Sequence, residues 1–254
     1  MALAAPTQVG SQIEQAAAPG TNATATVTSA SRTWVADELI IAGCHMIENS
    51  GASWDFISLT ASGGAITTPV IYNTTSFDNG GGYSGRAAII VAKVTTGWTG
   101  TVSAARTAGS ADHWTRAGFY FLTGQDLTTP VPQAKGTTVV APGGGTSLAI
   151  ALPGAPASTS LVFGCVEDGS SSAAFTPPTN FTEIAERVDA NYGSGENAYD
   201  LASAATSNTW TGLNNDGMGG VVIEIAEASA GGTNVPLHIL NPNIPFAHGY
   251  QGTR

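Results

Sequence analysis

The residues best equipped for chemistry are few and scattered. Ser110, Asp112 and His113 lie close together, and a hydroxyl, a carboxylate and an imidazole are the parts of a nucleophilic triad. No nucleophile elbow or other spaced signature accompanies them. A loop cap before Trp114 is therefore the expected role of His113. His45, His238 and His248 are isolated in the chain, so a metal site among them would need a proximity that spacing does not supply. Cys44 and Cys165 sit inside apolar runs at equivalent places in a repeat. Two buried free thiols are expected, since free cysteine behaves as a small hydrophobe. The alternative is a disulfide between the halves, which would imply an oxidising compartment.

Carboxylates cluster at Asp37-Glu38, at Glu167-Asp168 and at Glu183, Glu186 and Asp189. Paired acids at the right separation could serve a glycosidase, and acids on surface loops are the plainer expectation. Calcium takes carboxylate and carbonyl oxygens. Glu167-Asp168-Gly169 and Asn214-Asn215-Asp216-Gly217 could offer them, but neither follows the EF-hand pattern. Gly80-Gly81-Gly82-Tyr83-Ser84-Gly85 matches G-x-G-x-x-G. That fingerprint works between a strand and a helix; here a strand follows, so a plain loop is expected. No cofactor is implied. Trp98 and Trp210 occupy equivalent places, which points to packing at the same corner of each half. Trp34 and Trp54 have no such counterpart and are the better candidates for a glycan-facing surface, although burial in a core or interface is the usual fate of tryptophan.

The elements that must position these residues are strands, and the chain presents them twice. Leu39-Ile40-Ile41-Ala42-Gly43-Cys44 returns as Leu161-Val162-Phe163-Gly164-Cys165-Val166. Phe56-Ile57-Ser58-Leu59 returns as Phe181-Thr182-Glu183-Ile184, and Trp98-Thr99-Gly100 as Trp210-Thr211-Gly212. Each pass closes on a hydrophobic run, Phe119–Leu122 and then Val221–Ile225. Turn residues recur every 8 to 15 positions, and Leu148, Ile150 and Leu152 alternate with Ala149 and Ala151. That is the pattern of an antiparallel β-sandwich rather than of βαβ units. The expected fold is all-β: one jelly-roll-like antiparallel sandwich over 23–226, with an internal pseudo-repeat and extended terminal arms. Residues 1–22 form the N-terminal arm and 227–254 a linker and C-terminal arm.

Only 10% of the 254 residues are charged, with eight basic against eighteen acidic side chains and 32 glycines. Ordinary soluble domains carry about 25% charged residues, so much of this surface is expected to be covered in an assembly. A net charge of −10 without a basic patch argues against nucleic acid. No apolar run reaches a membrane span, and residues 1–6 lack the charged start and apolar core of a secretory signal. The C-terminal stretch is the exception to the polar texture. Val235, Leu237, Ile239, Leu240, Ile244, Phe246 and Tyr250 make it adhesive, where a disordered tail is normally polar. It is expected to lie on a neighbouring subunit or partner, adding a strand to a sheet edge, with docking on its own domain as the alternative.

Three stretches carry a resemblance: Ala36-Asp37-Glu38-Leu39-Ile40-Ile41-Ala42, Ala92-Lys93-Val94-Thr95-Thr96-Gly97-Trp98-Thr99-Gly100, and Phe121-Leu122-Thr123-Gly124-Gln125-Asp126-Leu127-Thr128-Thr129-Pro130-Val131. In these the chain resembles jelly-roll-like β-sandwich modules of tailed-bacteriophage virion proteins. The third stretch departs from the Tyr-Ser-Gly-Val-Asp usual in such modules. The resemblance implies a non-enzymatic virion component assembled in the host cytoplasm, with capsid decoration first, a minor tail protein next, and a carbohydrate or host-receptor module on the same fold as a further alternative. The partners it implies are other virion proteins and further copies of the chain, a trimer among the open arrangements, and glycan. It carries over no site residue.

Overall fold

The computed structural model describes residues 2–10, 14–15, 26–48, 55–78, 84–106, 113–139, 145–169, 174–189, 193–202, 205–212 and 217–229. The first half contributes β1 (Thr7–Gln8), β2 (Glu14–Gln15), β3 (Thr26–Thr28), β4 (Arg32–Trp34), β5 (Leu39–Glu48), β6 (Phe56–Ala61), β7 (Ala65–Ile66), β8 (Val70–Asn73), β9 (Phe77–Asp78), β10 (Ser84–Thr96), β11 (Trp98–Gly100), β12 (Val102–Arg106) and β13 (His113–Leu122). The second contributes β14 (Gln133–Val139), β15 (Ser147–Ala151), β16 (Leu161–Asp168), β17 (Thr182–Asp189), β18 (Gly193–Leu201), β19 (Ser207–Thr211) and β20 (Met218–Ile225). The described residues contain no helix, and the fold is an all-β, sandwich-like stack of antiparallel sheets.

Two large sheets form the middle of the stack. In the first, β5 is central between β13 and β10; in the second, β16 is central between β20 and β18. Both faces of these central strands are buried, which is why they appear in the sequence as continuous apolar runs rather than alternating ones. The first sheet is covered on its outer face by β3-β12-β6 and β4-β11, the second by β15-β19.

Three cores result, and strand alternation sorts residues among them. Ile40, Ala42, Cys44 and Met46 face the first outer layer; Leu39 and Ile41 face the second large sheet, against Leu161, Phe163, Cys165 and Ile223. Val162 and Val166 face away, beneath Leu148, Ile150 and Trp210. The common core expected from two matching halves is the central one, and each half adds a core of its own.

The repeat is real in the large sheets but not throughout. β5 and β16 are equivalent central strands, and Trp98 on β11 and Trp210 on β19 both pack inside an outer layer. Trp98 occupies the place a Cβ of Gly64 would take, and Trp210 that of Gly164. Phe56 and Phe181 part company: β6 pairs with β12 in the outer layer, whereas the strand after Phe181 pairs with β18 in the large sheet. Within the lead-in, β1 and β2 both lie antiparallel to β13.

The central interface is not purely apolar. His45 on β5 points across it into the space over Gly195, where an added Cβ would stand 2.6 Å from both His45 Nδ1 and Glu167 Oε2. Asn197 on β18 crosses the other way and fills the positions that Cβ atoms on Gly43 and Gly118 would need. Each sheet thus carries a polar side chain that fits a glycine notch in the other. The expected consequence is that Gly195→Ala lowers stability by about 1–3 kcal/mol through overpacking. Gly154→Ala, whose Cβ would meet only Gln133 Oε1 at 3.8 Å, should stay within about 0.5 kcal/mol. Urea midpoints of the two variants check this.

Candidate functional site

The central interface gathers the groups that nucleophilic chemistry would use. His45 Nδ1 lies 3.1 Å from Glu167 Oε2, and Cys165 Sγ lies 3.8 and 3.7 Å from the two His45 ring nitrogens. A sulfur equidistant from both nitrogens lies on neither N–H axis, so it is not placed as a thiol–imidazole nucleophile pair. The Cys165 thiol also approaches the Cys44 carbonyl at 3.4 Å. Arg116 stands opposite His45 in the β13–β5 register and donates from Nη1 to the Gly193 carbonyl at 3.2 Å. Burial pushes the Cys165 thiol up, partly countered by His45. Burial also raises the Glu167 carboxyl, with His45 and Arg116 pulling it back. For His45, burial favours loss of the proton, but Cys165 and Glu167 more than offset it and the pKa stands at about 10. These groups are fully enclosed. They form a polar clasp between the two sheets.

A second cluster lies on the outer face of β17 and β18. Glu186 stands directly opposite Glu196, with Glu183 one face-position along. Glu196 is buried and accepts from Trp210 Nε1 at 2.9 Å, while Glu186 accepts from the Phe175 amide at 2.5 Å. Burial, and then Glu183 and Glu186, raise the Glu196 pKa to about 8 against the opposing Trp210 bond. Its carboxyl is protonated at neutral pH and enclosed by Trp210.

The surface that can meet another molecule is elsewhere, at one end of the stack. Leu39 pairs with Leu122 and Lys93, and Leu161 with Leu201 and Ile225, so these strand ends lie together. The connector after β13 ties the sheets there. Asp126 N donates to the Ala226 carbonyl at 2.8 Å, Ala228 N to Gly124 at 2.7 Å, and Gln125 Nε2 to Asp37 at 2.5 Å. The Asp126 carboxylate accepts from the Thr128 and Thr129 amides in an Asx turn; these bonds, Thr129 first, hold its pKa below the usual range.

Of the five large hydrophobic side chains exposed among the described residues, Val35, Val70, Leu127 and Leu201 belong to this end; the fifth is Val188. Three shallow depressions flank them. One of about 280 Å³ lies between Val70 and Leu127. One of about 300 Å³ lies between Ala36, Leu127 and Ala228. Another of about 280 Å³ lies between Leu3, Leu201 and Glu227. Both ends of the described chain, Ala2–Leu3 and Ala228, line these depressions.

Several expectations need correction. Trp34 is not a surface ring: it is 1% exposed, stacks on Trp98 at 5.5 Å and donates Nε1–H to the Gly100 carbonyl. Its short strand folds over the first outer core, so neither ring face is free for a sugar. Glu167 and Asp168 are not loop acids but the last residues of a buried strand, and alternation turns them to opposite faces, which separates them as calcium ligands. Glu183 and Glu186 are likewise in a strand, and Glu38 is buried between Arg32 Nη2 and the Val35 amide. His113 opens a strand, paired with Glu48, rather than capping a loop. The two cysteines are free and buried, on opposite faces of their sheets: the repeat aligns Cys165 with Gly43, one position from Cys44. Ser110, Asp112, Asn214–Asp216, Trp54, His238, His248 and the arm residues Val235, Leu237, Ile239, Leu240, Ile244, Phe246 and Tyr250 lie outside the described residues.

Among the described residues, no group of three or more His, Cys, Asp or Glu side chains could hold a metal ion, and no helix is long and apolar enough to cross a membrane. Sequence reading missed Arg116 and Asn197, whose partners come from the other half, and Val35, Val70, Leu127 and Leu201, single apolar residues beside turns. No family model, curated protein or solved structure matches the chain.

Glu196 and His45 set the pH response. Between about pH 4.5 and 8 the folded Glu196 keeps a proton that the unfolded chain has lost. Between about 6.5 and 10 the same holds for His45. Folded protein therefore binds the more protons, and stability falls as pH rises through both windows. Melting midpoints measured from pH 5 to 10 should decline, and Glu196→Gln should flatten the lower limb while leaving the upper. Neither thiol should react with a disulfide reagent in the native state, and both should react after unfolding.

Proposed function

We propose that the chain is a non-enzymatic structural protein that builds a larger particle by gripping its neighbours through the apolar end of the stack. The observation that carries this reading is the gathering of Val35, Val70, Leu127 and Leu201 at the end that both termini of the described chain reach. Single exposed apolar residues are ordinary, but a group around shallow depressions is a feature of contact surfaces. The low charge of the whole sequence agrees with a surface meant to be covered. The apolar residues from Val235 to Tyr250 follow directly from this end and supply a segment suited to lie on a neighbour.

The resemblance to phage virion modules gives that particle its identity in this proposal: a tailed-phage virion, with the chain decorating the capsid. A place in the tail uses the same surface. The mechanism is mechanical. The stacked sheets supply a stiff body, the apolar end supplies adhesion, and the terminal segments link subunits.

The test compares three forms of the protein for oligomeric state and binding to undecorated capsids: the full chain, a chain truncated after Ala228, and Leu127→Asp combined with Leu201→Asp. The full chain should form homo-oligomers or bind capsids. Both variants should remain folded, with unchanged melting midpoints for the surface pair, and lose assembly at least tenfold. Normal assembly of the truncated chain and of the surface variant together would overturn the reading. Binding to tails rather than heads would move its place on the particle.

A further inference from the structure

On the outer flank of the second half, beyond the Glu196–Trp210 pair, a cavity of about 270 Å³ opens between the ends of β18 and β19 and the turn before β17. Its wall includes Asp200, Asn208, Asn180, Thr179 and Phe181. Asp200 is 8% exposed and Asn208 1%. β19 turns two side chains inward, Asn208 and Trp210, and the register sets Asn208 opposite Ile150. The surrounding core is otherwise Leu148, Ile150, Leu152, Phe175 and Trp210. Pattern alone would put a leucine at 208. Instead there is an amide whose oxygen and nitrogen both lack a hydrogen-bond partner among the described residues. Buried polar groups are nearly always paired, so an unpaired amide at the wall of a cavity suggests that a ligand completes it.

We propose that this cavity binds one neutral sugar residue. Asn208 offers a donor and an acceptor side by side, the pair that two adjacent hydroxyl groups require. Asp200 adds a carboxylate acceptor, and Thr179 and Asn180 add polar groups at the rim. Phe181 lines the cavity with one ring while its edge packs on Trp210 at 5.3 Å; such an apolar wall suits the C–H face of a pyranose. The volume lies just below the roughly 300–1,000 Å³ of pockets for drug-sized ligands, which fits a single ring rather than an oligosaccharide. The inference is independent of the assembly reading and uses none of its residues.

The experiment is ligand-observed saturation-transfer NMR on the full chain with glucose, galactose, mannose, N-acetylglucosamine and N-acetylgalactosamine, and a parallel calcium chloride titration. At least one sugar should bind in the millimolar range. Asp200→Asn and Asn208→Leu should each weaken it tenfold or more. Asn208→Leu should also raise the melting midpoint by roughly 2–4 °C, because it removes the unpaired amide from the core; that shift shows that the variant folds. Calcium binding without sugar binding would overturn the proposal, as would sugar binding unaffected by both substitutions, or no binding by any sugar.

Discussion

His45 and Asn197 cross the plane between the two large sheets in opposite directions, and the arrangement of the whole chain depends on that exchange. Apolar packing of Leu39, Ile41 and Ile89 against Phe163, Val221 and Ile223 supplies adhesion, but such packing is non-directional. A polar side chain seated in a glycine notch is directional. His45 fits only over Gly195, and Asn197 only over Gly43 and Gly118. Sliding one sheet along the other would drive these groups into neighbouring side chains and strand the His45–Glu167 pair in an apolar medium, where an unpaired charge costs several kcal/mol. The clasp fixes how the halves register.

That register has consequences at the surface. With β5 and β16 locked, the strand ends at Leu39, Leu122, Leu161 and Ile225 fall together. One connector, carrying the Gly124–Ala228 and Asp126–Ala226 backbone bonds, can then bridge both sheets. The same alignment brings Val35, Val70, Leu127 and Leu201, residues from four separate turns and strand ends, to a common end. The cavity beside Asn208 is set by a different constraint: β19 covers the large sheet only as far as Trp210 and Asn208, and the flank beyond is left open.

Much of the scaffold was legible in the residues. Continuous apolar runs at Leu39–Cys44 and Leu161–Val166 identified strands buried on both faces, and the alternation around Ile150 identified one that covers a single core. The repeat located the equivalent central strands and the corner tryptophans. Its limits are equally physical. A two-residue period makes a one-position offset decisive, so Cys44 and Cys165 look equivalent in the repeat yet face different cores. Phe56 and Phe181 share a local pattern but not a partner strand, because pairing is chosen by what lies alongside. Glu167, Asp168 and Trp34 carry types common at surfaces and are buried because His45, the outer layer and Trp98 enclose them.

Local periodicity and composition, taken alone, determined that this chain would be all-β, antiparallel, internally repeated and sparing in charge, because those properties reside in neighbours along the chain. The tertiary structure decided that the halves stack through their large sheets, that three cores form, that the histidine and cysteine are sealed in a clasp, and that the exposed apolar residues share one end. Each of these joins residues a hundred or more positions apart, such as His45 and Glu167, and a contact of that kind exists only after packing has chosen which faces meet.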